Sequence, residues 1–389
     1  IQLRDLLAPK TNAYHEIWLN NSMVAGHAVQ DFEPLYGSSY LPRKFKVVIA
    51  VPPNNDVDVY AHDLGLIAIV DLNTKKVLGY NVLIGGGMGQ THGNKKTYPR
   101  PASPIGYIPA DAVLKVAEAV VTTQRDHGDR VNRKHARFKY TVDDMGVDVV
   151  KKEIEARSGV IFEEERPYKF SDNYDRYGWT KGVAGTWNFG MFIENGRVKD
   201  TPDFLCKTGL RELAKFHKGE FRLTANQHLV IANVPEADLE KTKAHLAKYK
   251  LDNLSFTGIR KSAMACVALP TCGLAMAESE RYLPELITIL EKTMEEAGLR
   301  DDSIVVRMTG CPNGCARPYL AELAFVGKAP GTYNMYLGGN SKGERLNKIY
   351  LENLKEQDIL DEVQPMIKRY ALEREEGESF GDWVIRAGY

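Results

Sequence analysis

Apolar and polar residues change period several times along this chain, and each change marks an element. From Ile1 to about Gln30 the pattern reads as a helix followed by an irregular approach, closed by the turn-rich Tyr36-Gly37-Ser38-Ser39-Tyr40. Lys44 to Val51 is rich in β-branched residues and predicts a strand that stops at Pro52-Pro53-Asn54-Asn55-Asp56. Leu64 to Val70 and Val77 to Ile84 predict two more strands before Gly85-Gly86-Gly87, and Ala110 to Thr123 has the apolar spacing of an amphipathic helix. Further on, Thr186 to Val198 reads as a hairpin turning at Glu194-Asn195-Gly196, and Leu210 to His217 as a helix. Glu220 to Val234 reads as a second hairpin through Ala225-Asn226, and Glu236 to Lys248 as another helix.

A short internal repeat joins the two ends of this pattern. Val51-Pro52-Pro53-Asn54-Asn55-Asp56, an apolar strand and Gly79-Tyr80-Asn81-Val82-Leu83-Ile84-Gly85-Gly86 are echoed by a second set. That set is Gly310-Cys311-Pro312-Asn313-Gly314-Cys315, an apolar strand and Thr332-Tyr333-Asn334-Met335-Tyr336-Leu337-Gly338-Gly339. The expected fold class is therefore α+β, with two duplicated modules and a ferredoxin-like α+β layer between them. The boundaries predicted are 1–177 for the first, cysteine-free module, 178–252 for the layer and 253–389 for the second module. Only the second copy carries cysteines at its turn, so one copy is expected to have kept a chemical site that the other lacks.

Composition narrows the function classes. The chain has 389 residues, 43% of them hydrophobic, which is enough for two or three domains with cores of their own. Lys and Arg number 51 and Asp and Glu 51, so a general nucleic-acid binder is not expected. No apolar run approaches the roughly 18 residues of a membrane span, and the opening segment lacks the zones of a secretory signal. A cytoplasmic chain with no membrane partner is expected.

Cysteine is sparse and unevenly placed. Cys206 stands alone and reads as structural, whereas Cys266, Cys272, Cys311 and Cys315 form two pairs inside Gly- and Pro-containing turns. Paired thiols in such a chain point to metal before disulfides. Four thiolates suit an iron–sulfur cubane or a structural zinc, and the wide gap between Cys266 and Cys272 favours iron–sulfur over the tighter zinc knuckle. The plainer alternative is four buried small hydrophobes. Pro312-Asn313-Gly314 forces a turn that leaves backbone N–H groups free for thiolates and sulfides.

Lys44 and Lys46 flank Phe45, and on a strand both would face one side, where two ammonium groups could receive a small oxyanion. The alternative is a solvated strand edge. A second basic concentration contains Arg125, Arg130, Arg133, Lys134, Arg137 and Lys139, and a third is Asn94-Lys95-Lys96; a plain solvated face is the alternative for both. Gly85-Gly86-Gly87 does not have dinucleotide-fingerprint spacing, so no NADPH site is expected in this chain.

Ala265-Cys266-Val267-Ala268-Leu269-Pro270-Thr271-Cys272-Gly273-Leu274-Ala275-Met276-Ala277-Glu278, taken with Thr309-Gly310-Cys311-Pro312-Asn313-Gly314-Cys315, closely resembles the cluster motif of the siroheme-containing sulfite and nitrite reductases. The resemblance runs over essentially the whole chain and is strongest to the NADPH-linked sulfite-reducing branch. It implies that Cys266, Cys272, Cys311 and Cys315 hold a 4Fe-4S cluster and that Cys315 also ligates siroheme iron. It implies that Lys44 and Lys46 bind sulfite and supply protons, with Asn typical of nitrite reductases at the second position. It further implies that Arg137, the Asn226-Gln227 turn and Asn313 are among the siroheme contacts, and that a flavoprotein reductase delivers the electrons. The family pattern also has an N-terminal segment carrying another ferredoxin-like half and two pocket arginines, so that segment, or a chain supplying it, is an expected partner. The expected activity is six-electron reduction of sulfite to sulfide in sulfur assimilation. The alternatives are an assimilatory nitrite reductase and a noncatalytic iron–sulfur or zinc scaffold.

Overall fold

The computed structural model describes residues 1–11, 16–26 and 33–389, and these form two compact units. One comprises residues 1–51, 59–87 and 100–168; the other comprises 52–58, 88–99 and 169–389.

The first unit opens with α1 (Gln2–Leu7) and a hairpin of β1 (Glu16–Leu19) and β2 (Ser22–Gly26). That hairpin stands where the sequence predicted only an irregular approach; the rest of the approach, at residues 12–15 and 27–32, lies outside the described residues. Its sheet runs β3 (Val47–Ala50), β4 (Leu64–Val70), β5 (Val77–Ile84) and β6 (Ser103–Pro109) in that order. β3 pairs parallel with β4, and the next two pairings are antiparallel. β4 and β5 fall where the apolar runs placed them. β6 escapes sequence reading because Pro104 and Gly106 are poor strand formers. Gly106 is required there: its φ is +126°, and a Cβ would stand 2.4 Å from the Glu163 carbonyl oxygen. α2 (Val113–His127), α3 (Phe138–Met145) and α4 (Val147–Ser158) follow. Val116 and Val120 of α2, Val142 of α3 and Ile154 of α4 pack with Leu64, Leu66, Val82 and Ile84 of the sheet, all at most 1% exposed.

The second unit contains the ferredoxin-like layer. β7 (Gly178–Lys181), β8 (Thr186–Met191), β11 (Glu220–Leu223) and β12 (Leu229–Pro235) form an antiparallel sheet in the order β11-β12-β8-β7. Between β8 and β11 come the small hairpin β9 (Asp200–Thr201) and β10 (Phe204–Leu205) and helix α5 (Cys206–Ala214); α6 (Leu239–Lys248) follows β12. The hairpin expected over Thr186 to Val198 is corrected. β8 pairs with β7, ahead of it in sequence, while Glu194-Asn195-Gly196 is a helical turn leading toward β9. Asn195 and Gly196 do turn the chain, at φ +47° and +70°, but both edges of β8 are taken, by β7 and β12, so the segment after the turn has no edge to pair with. Cys206 is 3% exposed in the core of this layer with Leu213, Ile231 and Leu246, and burial pushes its thiol up to about 11.

Beyond α7 (Gly258–Ser262), the remaining sheet runs β13 (Met264–Ala265), β14 (Val306–Thr309), β15 (Leu323–Ala329), β16 (Thr332–Leu337) and β17 (Lys348–Leu354). α8 (Leu283–Glu296), α9 (Glu356–Glu373) and α10 (Phe380–Arg386) complete it, with Leu290, Met308, Phe325, Val363 and Trp383 in a shared core.

The duplication is borne out to the residue. β3 and β14, the helical turns Val59–Ala61 and Pro318–Leu320, and β4 and β15 begin at Val47 and Val306, Val59 and Pro318, and Leu64 and Leu323. Each pair differs by 259 in number and agrees in length. The ladders agree too, because β14 is parallel to β15 while β15–β16 and β16–β17 are antiparallel. One detail fixes the correspondence chemically. In the first copy Asp63 accepts the Lys46 N–H at 2.9 Å, and in the second Glu322 accepts the Val305 N–H at 2.8 Å. Both carboxylates are fully buried, and both pairs keep the same 259-residue separation.

Candidate functional site

In the first unit the residues singled out from sequence meet at the head of β4. Lys44 and Lys46 precede β3, so the expectation that they share one face of a strand is corrected. The main chain at Lys46 is nevertheless held like a strand, its carbonyl accepting the Leu64 N–H at 3.0 Å and its N–H given to Asp63. The Lys46 ammonium donates to the Ala61 carbonyl at 3.2 Å, and Lys44 is exposed. Arg137, at the N-terminal boundary of α3, donates through Nη2 to both Asp63 carboxylate oxygens, at 3.1 and 3.0 Å. Its Nε is buried without a protein partner. A half-buried guanidinium whose buried Nε–H is left over fits a site meant to receive an anion, since such a donor is costly to leave unpaired.

The glycine run serves this arrangement. A Cβ on Gly86 would stand 2.3 Å from the Tyr60 carbonyl oxygen, so the turn between β5 and β6 closes onto the β4 approach only with glycine there. Of the other basic residues of this stretch, Arg125 pairs with its neighbour Asp126 at 2.7 Å and Arg130 donates to the Tyr40 carbonyl at 2.7 Å, while Arg133 and Lys134 are exposed.

In the second unit the four paired cysteines come together at the end of β14. The loop that follows β13 is strapped to the Gly310 turn, with Met276 and Ala277 both donating N–H to the Gly310 carbonyl, at 2.7 and 3.1 Å. Gly310 returns its own N–H to the Cys266 sulfur at 3.3 Å. A Cβ on Gly310 would meet Ala268 and Ala277 at 2.6 Å, which is why this strap needs glycine. Burial pushes the Cys311 thiol up, opposed by the donated N–H of Asn313, and Cys315, Cys266 and Cys272 all act on it through space. Burial likewise pushes Cys266 up, against the Gly310 N–H. Cys311 is buried, Cys266 and Cys272 are half-buried and Cys315 is exposed.

Among the described residues no group of three or more His, Cys, Asp or Glu is gathered tightly enough for a single ion. The four thiols are neighbours, as the action of the other three on Cys311 shows. Four thiolates are a complete ligand set for a cubane, one on each of four irons. The donated N–H groups of Gly310 and Asn313 are the kind that stabilise thiolate charge, so the residues present fit a 4Fe-4S cluster.

Beside this centre sits a buried ionic network that sequence reading missed. Asp58, fully buried, pairs with Arg307 at 2.6 Å and with Arg317. Burial alone would raise its carboxyl, but the two guanidiniums overcome that and hold it at about 2. Arg317 also donates to Asn226 Oδ1 at 2.9 Å, while Asn226 Nδ2 donates at 3.1 Å to the Asp56 carbonyl, the Asn173 carbonyl and Asp175. The Asn226 amide is therefore fully engaged by protein. Gln227, at φ +74°, has its Oε1 buried without a protein partner beside a cavity of about 340 Å³ that Val267, Thr224 and His228 also line. Asn313 is exposed. The repeat was the signal that could have revealed the network, since Asp58 and Arg317 occupy equivalent positions 259 residues apart.

Comparison with known proteins agrees with this construction. The nitrite and sulphite reductase 4Fe-4S domain matches residues 3–162, which is the cysteine-free copy, and the nitrite/sulfite reductase ferredoxin-like half domain matches residues 181–249. The chain is 58% identical over 388 residues to the sulfite reductase [NADPH] hemoprotein beta-component of Anoxybacillus flavithermus, covering all of this chain and 68% of that protein. It is 54% identical over 415 residues to the sulfite reductase [NADPH] subunit beta of Saccharomyces cerevisiae, covering 99% of this chain and 29% of the yeast protein. The solved structure of Mycobacterium tuberculosis NirA aligns with a TM-score of 0.73 at 26% identity, over 89% of this chain and 63% of that one. No helix among the described residues is long and apolar enough to cross a membrane. The chain belongs to the sulfite reductase [NADPH] hemoprotein beta-component family, oxidoreductases that work through siroheme and a 4Fe-4S cluster.

Proposed function

We propose that this chain is the catalytic hemoprotein of an assimilatory sulfite reductase, reducing sulfite to sulfide with six electrons delivered by a flavoprotein partner. The observation that carries the reading is the presence, in one chain of this family, of a four-cysteine centre and a separate cluster of cations around a buried carboxylate. Siroheme and the 4Fe-4S cluster, when bound, supply single-electron transfer to sulfur. Cys266, Cys272, Cys311 and Cys315 would hold the cluster, and Cys315, the exposed one of the four, would also be a ligand for the siroheme iron. Arg137, Gln227 and Asn313 offer donors and acceptors for the carboxylate-rich tetrapyrrole. Asn226, whose amide is spent on protein, serves that face by holding Arg317.

Lys44 and Lys46 would bind the oxyanion and deliver protons. Sulfite, six electrons and seven protons give hydrosulfide and three waters, so each departing oxygen must collect two protons close by. Ammonium groups beside it both neutralise the anion and furnish those protons. Asp63 fixes the Lys46 backbone and Arg137 in register for that task.

Turnover of sulfite and of nitrite by the cofactor-loaded protein, driven by dithionite-reduced methyl viologen, tests the reading. Sulfide formation with sulfite as the preferred anion is expected, and a preference for nitrite would install nitrite reduction instead. Lys46→Asn should lower sulfite turnover by about tenfold or more while leaving siroheme and iron content unchanged. Unaltered sulfite kinetics in that variant would end the role given to Lys46.

A further inference from the structure

Lys139, the second residue of α3, is a lysine with only 1% of its surface exposed. Its Nζ donates to the Gly87 carbonyl at 3.1 Å and lies 4.9 Å from the centre of the Tyr140 ring. Gly87 makes the room: a Cβ there would stand 3.2 Å from Lys139 Cδ and 3.4 Å from Arg137 Nη2. The charged groups around it are Arg137, Lys46, Asp63 and Asp143, and Asp143 is itself paired with Arg100 at 2.7 Å. Three cations thus face two carboxylates before Lys139 is counted, so a fourth positive charge there is disfavoured until an anion arrives.

We infer that Lys139 is a positioning residue of the anion site, its buried amine taking up a proton as sulfite enters, so that the dianion and the proton bind together. The proton comes from solvent to Nζ and no covalent bond changes. Burial first, then Arg137, brings this amine down to about 7, with Lys46 adding to the effect and Asp63 and Asp143 opposing it. Two negative charges placed among these cations favour the charged amine, and by linkage the charged amine favours the anion. Lys44 is exposed, whereas Lys139 is buried among these charges, so Lys139 is the amine on which an entering anion acts with least screening by water.

The inference rests on sulfite as the anion, and the experiment separates the two. Oxidised, cofactor-loaded protein without electron donor is titrated calorimetrically with sodium sulfite at about pH 8.5, in two buffers of different ionisation enthalpy, to count protons taken up per sulfite bound. Wild type should take up close to one proton. Lys139→Met, which keeps the length and loses the amine, should take up none. It should bind sulfite more weakly than wild type by a factor on the order of a hundred or more near pH 6.5, a gap that narrows as the pH rises and closes only above about pH 10. Equal uptake in wild type and Lys139→Met, or no uptake by wild type, overturns the inference, and the second result holds even if the variant fails to fold. Wild type that reduces sulfite without the uptake leaves the proposed function standing alone. Wild type that shows the Lys139-dependent uptake yet does not reduce sulfite leaves the inference standing and removes the proposed function.

Discussion

Cys311→Ser should yield a folded protein with iron and acid-labile sulfide at background and no sulfite turnover. Cys311 is the buried member of the four, and the through-space action of the other three thiols on it shows that it sits among them. Serine oxygen is a hard, poorly ionised donor that does not replace thiolate on an iron–sulfur cluster. Folding should survive because the turn is held by the Gly310 carbonyl bonds from Met276 and Ala277, which do not involve the Cys311 side chain. Cys206→Ser supplies the contrast. It places a hydroxyl in the core with Leu213 and Ile231 and should cost about 1–3 kcal/mol while leaving iron and sulfide unchanged. Metal analysis, a visible spectrum and urea unfolding on the same two samples check both statements. Full cluster content in Cys311→Ser would remove that cysteine from the ligand set.

The second large effect is on stability. Asp58→Asn should destabilise the second unit by about 3–5 kcal/mol, because it leaves Arg307 and Arg317 without the carboxylate that both of them contact. Urea midpoints at neutral pH should fall with little change in slope. Adding Arg307→Met to Asp58→Asn should recover part of the loss, since one unpaired buried charge is then removed; additive loss in the double variant would contradict the coupling. The pH dependence has a definite sign. The folded Asp58 carboxyl lies near 2, below its ordinary 3.8, so its contribution is complete above about pH 4 and disappears as the pH falls through 2. That titration is worth about 2 kcal/mol. Asp58→Asn should lack this portion of the acid limb.

How much of this could be read beforehand depended on whether the signal was local. β4 is legible because its apolar run is bounded by Asp63 and Asp71, and β5 because its β-prone residues run from Lys76 to the Gly85 break despite Gly79 and Asn81. The hairpin β11–β12 was legible because Ala225 and Asn226 interrupt two β-rich segments. The four cysteines were legible as residue types in glycine- and proline-bearing turns. β7 was missed because Gly178 to Lys181 is short and its pairing with β8 is decided by tertiary contact. The local pattern puts Lys46 on a strand face, whereas its backbone is set by Asp63, which that pattern does not disclose. The ionic network of Asp58, Arg307, Arg317 and Asn226 was invisible for the same reason. Its members are far apart in sequence, and only the repeat relates any of them.

The paired carboxylates Asp63 and Glu322 show how the two copies have parted. They hold the same backbone amide in the same way, but Asp63 also receives the Arg137 guanidinium, whereas Glu322 receives uncharged donors, the Gly381 N–H at 2.8 Å and the Ser379 hydroxyl. With no cation beside it, burial pushes the Glu322 carboxyl up to about 7, so the position that anchors a cationic cluster in one copy is close to neutral in the other. Conversely, the places of Cys311 and Cys315 are taken in the first copy by Pro52 and Asp56. Each copy has surrendered what the other retains, so neither can serve as a spare: damage to either module is uncompensated, and a chain built from two identical copies of one module would lack half of the chemistry.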